Sequence, residues 1–466
     1  MSALMCGLIF LNACKEDPEL PENFTEFEAD QAGIAPSETE LSIKLKLVRE
    51  TEEAGTVTVG IASSGLVYGK DFTTDPAAVS NTVIVSVPAG SSSAAFKLKK
   101  IGNLFDGDET VKFTIQSTSD LLLVGEKSSA TVTFGEILAT SGSMELAGGG
   151  ALYPNQVFVD LSTNRQTAIS RTSWDLAFSS SDNFRVVLNS PNGMTARALT
   201  KTDLTTVTAA DTVGFGAQLS LNAIFAAATE SSPPSWIASA LGWIDDPAGD
   251  LAKTAIAAVS ATAADNKVYI VYIGTGPGNP APALGWKKIR VIRNGSNYTL
   301  QHANISATTF TEVQITKNPA YRFQFVSFAS GVINAEPEKT KWDIAWTGFT
   351  NTTPLSASLS IPYYFQDVVL QNTAGVQAVQ VLTSTISYDA FAEANLAGLS
   401  FATAQLTIGS NWRSGGGPST APSVRTDRFY IVKDLDGNYF KLKFTALVTN
   451  GERGKPQIQF ALVKKG

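Results

Sequence analysis

Histidine is almost absent from this sequence. Its 466 residues include one, His302, so a Ser-His-Asp or Cys-His catalytic group would have to use that residue. Zinc and non-haem iron sites built from several histidines are excluded. Carboxylate chemistry is still open, because a glycosidase needs only two acidic side chains. The acidic pair that stands out, Asp245-Asp246 close to Trp243, is more typical of a turn, so no enzyme activity is predicted.

Cysteine and charge are scarce as well. Both cysteines, Cys6 and Cys14, stand in the first fourteen residues, so no disulfide framework holds the folded part and apolar cores must stabilise it. Charged residues make up 17% of the chain, and the net charge of -7 argues against a nucleic-acid partner, which would attract a basic surface. Thr, Ser, Ala, Val and Gly predominate instead, which is typical of β-rich extracellular modules.

The N-terminus is typical of an exported protein. Residues 1–13 are apolar and end in small residues before a cysteine, as a signal peptide does, and they are too short to span a membrane as a mature helix. Leu11-Asn12-Ala13-Cys14 resembles a lipobox, a motif that implies cleavage before Cys14 and attachment of lipid to its thiol. A buried N-terminal strand is the alternative interpretation.

A polar tether is predicted over residues 14–24. Its Lys15-Glu16-Asp17 segment resembles the signal that sends some lipoproteins of Gram-negative bacteria to the outer face of the outer membrane. A solvated linker is the alternative interpretation. The resemblance implies a protein that is anchored by lipid in the outer membrane and exposed at the cell surface.

Residues 25–137 are predicted to form a β-sandwich. Leu41–Leu47 alternate strictly between apolar and polar, the pattern of a half-buried strand, and further short strands follow at fairly regular spacing. The order of motifs resembles a Calx-β domain. The resemblance rests on the Ser42–Val48 strand, Gly69-Lys70-Asp71-Phe72, Val87-Pro88-Ala89-Gly90, and Asp106-Gly107-Asp108-Glu109 before the Val111–Ile115 strand.

The acidic turn of this region supplies the candidate metal ligands, Asp106, Asp108 and Glu109. Some Calx-β domains bind calcium through acidic loops, and calcium prefers hard oxygen ligands of this kind. An acidic turn is usually only solvated, however, so calcium is not the expected cofactor.

Residues 138–466 contain an internal duplication. Ser173-Trp174-Asp175-Leu176-Ala177-Phe178 recurs as Lys341-Trp342-Asp343-Ile344-Ala345-Trp346, which places the two tryptophans 168 positions apart. Arg185–Ser190 similarly resembles Asp367–Thr373. We therefore predict an all-β chain in which the N-terminal sandwich is followed by two related antiparallel β domains, 138–318 and 319–466.

The first copy carries an insert at about 200–262 that is rich in Ala and Thr. Two short helices are predicted there, at Ser220–Thr229 and Ser235–Ala240, because Pro233-Pro234 separates them.

The duplicated region resembles the HmuY-like lipoproteins. The carriers of the resemblance are the two Trp-Asp segments, Arg428–Phe444 with its Asp436-Gly437 turn, and Gly451-Glu452-Arg453-Gly454. That family has an all-β fold and captures haem at the surface of Gram-negative bacteria. The resemblance implies a non-enzymatic surface protein that binds haem or another hydrophobic small molecule, with an outer-membrane receptor as a further partner.

Haem iron needs nitrogen or sulfur donors, which this family supplies as a His pair or a Met pair. The chain has no second histidine, and Met1 and Met5 leave with the signal. Met194 is the best candidate, because it follows a strand in a loop that can reach into a cleft. His302 is the other candidate, although a single histidine on a strand is more often structural. Met144 is expected in a core strand.

An adhesive or structural surface module without a small-molecule ligand is the alternative function. Calx-β-like sandwiches often serve as spacers that lift the following domain away from a membrane. A concave apolar pocket with aromatic walls favours the ligand-binding function, whereas a flat polar surface favours the adhesive one.

Substitution of Cys14 tests the anchor. The Cys14→Ala variant cannot accept lipid through the thiol, so we expect it in the soluble fraction of lysed cells, whereas the unaltered protein sediments with membranes. Fractionation and immunoblotting measure the distribution, with Cys6→Ala as the matched control that keeps its anchor. A Cys14→Ala protein that still sediments entirely with membranes contradicts the lipobox.

Overall fold

The computed structural model describes residues 21–35, 38–101, 109–120, 122–135, 138–415, 420–449 and 451–466. Strands predominate and pair almost wholly antiparallel, which confirms the all-β fold class. Contacts divide the chain into two compact units, Met1–Glu136 and Ile137–Gly466. Cys14 and Lys15-Glu16-Asp17, on which the anchoring and export predictions rest, lie outside the described residues. Within the described residues, no helix is long and apolar enough to cross a membrane.

The first unit is a sandwich of two five-stranded sheets. Its strands are β1 Phe24–Phe27, β2 Gln31–Gly33, β3 Glu40–Leu47, β4 Gly55–Ser64, β5 Phe72–Asp75, β6 Thr82–Val87, β7 Ser93–Lys100, β8 Thr110–Thr118, β9 Leu123–Val124 and β10 Ser129–Thr133. Sheet A has the order β5-β7-β3-β1-β9, and sheet B has the order β2-β10-β8-β4-β6.

Alternation of apolar and polar residues decides which face of each strand enters this sandwich. In β3, Ile43, Leu45 and Leu47 are buried while the serine and lysines between them are exposed, as the alternation predicts. Phe96 and Phe113 meet from opposite sheets with ring centroids 5.0 Å apart. Burial of these side chains is the main source of stability in a unit that has no disulfide.

The second unit holds the remaining strands. They are β11 Ser141–Glu145, β12 Asn155–Asp160, β13 Arg165–Ser170, β14 Leu176–Ser179, β15 Val186–Leu188, β16 Thr195–Ala198, β17 Tyr269–Tyr272, β18 Trp286–Asn294, β19 Asn297–Ala303, β20 Thr311–Ile315, β21 Phe323–Ser327, β22 Gly331–Ile333, β23 Ile344–Pro354, β24 Ser360–Gln371, β25 Gln377–Leu382, β26 Arg413–Ser414, β27 Ser423–Val424, β28 Arg428–Lys433, β29 Tyr439–Ala446 and β30 Gln457–Lys464.

Four large sheets are built from these strands. Sheet C has the order β11-β30-β29-β28-β25, sheet D β13-β12-β23-β24, sheet E β15-β14-β21-β22 and sheet F β16-β17-β18-β19-β20. The predicted Asp436-Gly437 turn joins β28 to β29, with Gly437 at a φ of +86° that favours glycine.

Sheets D and E are equivalent in strand order and register. In sheet E, Ala177 pairs with Phe325, and in sheet D the corresponding Ala345 pairs with Phe158. The order β15-β14-β21-β22 of sheet E thus repeats as β24-β23-β12-β13 in sheet D. This equivalence is what the duplicated Trp-Asp segments predict, since each stands immediately before β14 or β23.

The sheets do not follow the predicted division at residue 318. Sheets E and F use the continuous segment 176–333, whereas sheets C and D combine 141–170 with 344–464. The first copy therefore gives β11, β12 and β13 to sheets C and D, and the second copy gives β21 and β22 to sheet E. Strand pairing at a distance, which a sequence repeat does not specify, determines this exchange. We call 176–333 the inserted half, and its two connections, 171–175 and 334–343, the crossings.

A shared set of contacts fixes each Trp-Asp segment. Asn189 Nδ2 donates to the carbonyls of Arg171 at 2.8 Å and Trp174 at 2.6 Å. Its equivalent, Asn372 Nδ2, donates to those of Lys339 and Trp342, both at 2.8 Å. Both asparagines are fully buried. Each crossing is therefore fastened to its sheet by one buried amide.

The tryptophans and aspartates of these segments also have matching partners. Trp174 packs edge-on against Phe325, and Trp342 against Phe158, at 4.9 and 5.0 Å between ring centroids. Asp343 is buried, and its carboxylate accepts the main-chain N–H of Leu161 at 2.8 Å. Burial and the neighbouring Asp160 raise the pKa of Asp343.

The insert forms short helices rather than strands. Helix α1 covers Leu221–Ala228 and begins after Ser220, whose Oγ accepts the N–H of Ala223 at 3.1 Å. A 3₁₀ helix covers Ser235–Trp243, so both helices predicted here are confirmed. Further 3₁₀ turns cover Ser190–Asn192, Leu204–Thr206, Ala209–Thr212, Phe215–Ala217, Leu251–Lys253, Ala263–Asp265 and Glu393–Leu396.

The two buried asparagines give a prediction about stability. Asn189→Ala and Asn372→Ala each leave two buried carbonyls without a donor, so each should lower the free energy of unfolding by about 2 kcal/mol. Urea titration followed by tryptophan fluorescence isolates the second unit, since all 7 tryptophans lie in it. Asn183→Ala, at an exposed position, is the control. Loss of stability in only one of the two buried variants contradicts equivalent roles.

Candidate functional site

A cleft in the second unit contains about 1270 Å³ of empty space up to its open mouth. Its walls come from the start of the first crossing, the 3₁₀ turn after β15, the end of β17 with its following loop, and β24. Six of its lining residues define it, and we call it the arginine cleft: Tyr153, Arg171, Asn192, Tyr272, Thr275 and Tyr364.

Among the described residues, Arg171 is the only charged one that lines this cleft, and it is 5% exposed. Its Nε donates to the carbonyl of Tyr153 at 2.8 Å, and its Nη1 donates to Asn192 Oδ1 at 2.8 Å and to the carbonyl of Thr275 at 2.6 Å. Burial lowers the pKa of Arg171, opposed by Tyr364. These acceptors hold the guanidinium in place through Nε and Nη1. Nη2 takes part in none of these hydrogen bonds.

No carboxylate compensates the charge of Arg171. Among the described residues, none lies within ion-pair distance of its guanidinium. None of the residues that line the cleft is an aspartate or a glutamate. A buried guanidinium is normally paired, because an isolated charge in a low-dielectric site is costly. The cleft is thus electrostatically suited to an anion.

Asn192 adds a second unsatisfied donor. It is 2% exposed, and its Nδ2 has no hydrogen-bond partner in the described structure, while its Oδ1 faces Arg171. The preceding turn and Gly193, at a φ of +73°, hold this side chain against the cleft. Gly274 allows the loop after β17 to approach, since a Cβ there would lie 1.9 Å from the carbonyl oxygen of Asn192.

Two tyrosines complete the donor set. Burial raises the pKa of Tyr364, which Arg171 opposes and Asp367 reinforces, and burial also raises the pKa of Tyr272. Both phenols are therefore protonated donors at neutral pH. Tyr364 reaches its position because Gly348 has no side chain, since a Cβ there would lie 1.9 Å from the Tyr364 oxygen.

A buried charge network supports the wall of the cleft. Asp367 is fully buried at a φ of +54°, and its Oδ2 accepts the hydroxyl of Tyr153 at 3.1 Å. Arg453 Nη2 also donates to this oxygen, and Arg413 Nε lies 3.8 Å from it. Burial raises the pKa of Tyr153, and the Asp367 charge adds to that shift. Two arginines share one aspartate, so the network has a net positive charge.

Arg171 was missed in the sequence, although a weak signal for it exists. A basic residue stands three positions before the tryptophan in both copies, Arg171 before Trp174 and Lys339 before Trp342. The Gly451-Glu452-Arg453-Gly454 motif was noticed, and it supplies Arg453 to the Asp367 network. Its charged role depends on Asp367, which is distant in sequence and therefore invisible to local patterns.

Met194 does not occupy the position expected for it. It follows Gly193 in the chain, but its side chain is 1% exposed and belongs to the core between sheets E and F. The 3₁₀ turn directs Asn192 to the cleft and Met194 inward. Iron ligation by Met194 stays a prediction, and it would require this side chain to leave the core.

His302 is also buried, at 5% exposure, in β19. Its ring lies 5.1 Å from that of Phe328, and it does not line the arginine cleft. Burial lowers the pKa of His302, and Lys287 adds to this shift, so the imidazole is neutral at physiological pH. Met144 packs in the core beside sheet C, as expected for a strand residue.

The acidic turn proposed for calcium is only partly described. Asp106 and Asp108 lie outside the described residues, and Glu109 is half-buried just before β8. Within the described ranges, no cluster of three or more His, Cys, Asp or Glu side chains is arranged to hold a metal ion.

The HmuY protein family matches residues 152–460, which contain the whole arginine cleft except Ala151. This match spans most of the second unit and more than half of the chain. The chain therefore belongs to the HmuY protein family. No protein with a curated description matches it.

Several solved structures are similar at low identity. A Bacteroides vulgatus protein assigned as HmuY-like and heme-binding is 10% identical, with 70% of this chain and 94% of that chain covered and a TM-score of 0.19. The apo Calx CBD1 domain is 17% identical, with 25% of this chain and 97% of that chain covered and a TM-score of 0.22. A Bacteroides ovatus protein assigned as carbohydrate-binding is 10% identical, with 75% and 93% covered and a TM-score of 0.18.

The Asp367 network gives a prediction that can be measured without a ligand. Asp367→Asn keeps the shape but leaves the buried Arg413 and the half-buried Arg453 without a counter-charge, so the free energy of unfolding should fall by about 3 kcal/mol. Asp436→Asn, in an exposed hairpin turn, should change it by less than about 0.5 kcal/mol. Equal stability of the two variants in urea would show that the arginines need no buried partner.

Proposed function

We propose that this chain is a lipid-anchored protein of the outer-membrane surface that binds a small apolar molecule carrying a carboxylate, without catalysing a reaction. Haem is the leading candidate ligand. The observation that carries the proposal is Arg171, a buried guanidinium without a counter-ion in a cleft whose lining contains no acid. Membership of the HmuY family supports haem, since that family captures haem at bacterial surfaces.

The chemistry of haem fits the donors that the cleft offers. Its propionate carboxylates would accept charge-assisted hydrogen bonds from Arg171 and neutral ones from Asn192 and Tyr364. Apolar and aromatic parts of the wall, such as Leu221 and Tyr272, would contact the porphyrin ring. The carboxylates and the ring are both needed for this mode of binding.

A comparison of the affinities for ferric and ferrous haem identifies the kind of iron ligand. A thioether favours reduced iron, so ligation by Met194 predicts tighter binding with dithionite. The phenol oxygens of Tyr272 and Tyr364 are harder donors, and ligation by either predicts tighter binding of ferric haem. The arginine cleft holds the tyrosines and not Met194, so we expect the ferric form to bind more tightly.

A haemin titration followed by the Soret band tests the proposal. Arg171→Gln should weaken binding at least about tenfold, because it removes a charge-assisted bond to the carboxylate. Tyr364→Phe should weaken it less, and this variant removes only a hydroxyl, so its fold is not at risk. Arg425→Gln removes an exposed arginine of the same unit and should bind as the unaltered protein does.

Haemin dimethyl ester separates the contributions of ring and carboxylate. It keeps the porphyrin and iron but has no free carboxylate. Its affinity for the unaltered protein should therefore match the affinity of haemin for the Arg171→Gln variant. Equal binding of haemin and its ester by the unaltered protein contradicts recognition by Arg171. The absence of a Soret shift with and without dithionite removes haem as the ligand.

A further inference from the structure

A second cavity lies between the matching sheets D and E, and it shares no lining residue with the arginine cleft. It contains about 740 Å³ of empty space, counted to its mouth. Phe158 and Phe325, which are equivalent in the two sheets, both line it, together with Trp174, Phe323 and Phe349. We call it the inter-sheet cavity.

The cavity exists because the two sheet faces do not fill the space between them. Ala177 and Val187 of sheet E are small residues between the larger aromatics. The insert closes one side through the segment from Asp245 to Thr254. The result is a site with apolar, aromatic walls and a set of charged groups, and small-molecule sites commonly combine these two features.

Glu336, on the second crossing, is the buried polar group of this cavity. It is 6% exposed, and its Oε1 has no hydrogen-bond partner within the described structure. The main chain and the charge of Arg322 both lower the pKa of this carboxylate against the effect of burial, and within the described residues no ion pair joins it to the Arg322 side chain. A buried carboxylate with an unpartnered oxygen lacks the compensation that such a group normally has.

The Arg322 guanidinium is directed elsewhere. It lies over the ring of Phe323 at 5.0 Å and over that of Trp342 at 5.8 Å, and its Nη2 donates to Thr373 Oγ1. It is the only basic residue that lines the cavity. Its charge reduces the effect of burial on Glu336, whose pKa is raised by that burial to about 7.

The remaining charged groups of the cavity are acidic. Asp245 accepts the N–H groups of Leu188 at 2.6 Å and Ala255 at 2.9 Å, and burial raises its pKa to about 7. Asp246 and Asp250 also line the mouth, and Asp250 is paired with Lys253 at 3.2 Å. Four carboxylates therefore face one arginine in an aromatic-walled space, an environment that favours cations.

We propose that the inter-sheet cavity is a second binding site, which takes a small organic cation whose apolar body packs between the aromatic walls and whose ammonium group pairs with Glu336. The aromatic walls formed by Trp174 and Phe325 attract the cation and exclude water from the pair. This site has the opposite charge preference to the arginine cleft, and it does not depend on haem binding.

Calorimetric titration of the purified whole protein with 2-phenylethylammonium tests the site. The neutral analogue 2-phenylethanol has the same ring and chain length, so comparison of the two isolates the charge. We expect the ammonium compound to bind at least about tenfold more tightly. Equal affinity of the two compounds, or no binding of the ammonium compound, overturns the proposal.

Glu336→Gln identifies the carboxylate. This nearly isosteric change should remove the tenfold preference for the ammonium compound, whereas Glu338→Gln, two residues away and exposed, should keep it. Circular dichroism checks that both variants fold. If the preference survives in a folded Glu336→Gln protein, the cation pairs with another group and the proposal is wrong.

Proton release gives an independent readout in the unaltered protein. Pairing with a cation stabilises the ionised form of Glu336, so binding near neutral pH should release a proton, and affinity should fall as the pH drops from about 8 to about 6. Titrations in phosphate and in Tris, whose ionisation enthalpies differ, measure the proton. Arg322, Asp245, Asp246 and Asp250 also face the cavity, so the release must disappear in Glu336→Gln; its persistence there refutes the assignment.

Discussion

The structure of the second unit depends on the pairing of β12 with β23 and of β21 with β14. Sheets D and E each combine strands from both copies of the repeat, because β12 of the first copy pairs with β23 of the second and β21 of the second copy pairs with β14 of the first. Each half nevertheless contains all the strands of its own sheets, since sheets E and F lie within 176–333 and sheets C and D lie outside it. The buried amides of Asn189 and Asn372 fasten the two crossings at the points where the chain passes between them.

The sequence predicted the local structure well and the long-range structure poorly. Alternation identified β3, the Asp-Gly pair identified the β28–β29 turn, and the repeated Trp-Asp segments identified equivalent strands. These signals come from residues within a few positions of each other. The exchange of strands between copies depends on which edges meet in space, and either pairing leaves the same pattern of residues along the chain.

The candidate site illustrates the same limit. Met194 was favoured because its loop position suggested access. One residue, Gly193, separates Met194, which lies in the core, from Asn192, which lines the cleft. Arg171 defines the site because, among the described residues, no carboxylate pairs with its charge. This property becomes visible only when all of its neighbours in space are known. The missing counter-ion of Arg171 and the unpartnered oxygen of Glu336 are complementary defects, and they divide the unit into an anion-accepting and a cation-accepting region.

The unpaired charge of Arg171 and the unpartnered oxygen of Glu336 both lie on the crossings. Arg171 stands at the start of the first connection into the inserted half, and Glu336 stands on the second connection out of it. A ligand that immobilises either charge also restrains one of the two peptide links between the halves. By thermodynamic reciprocity, a force or partner that shifts one half against the other must change the affinity of both regions. If the protein is anchored at a cell surface, as we propose, such a linkage would couple mechanical contact to the release of cargo.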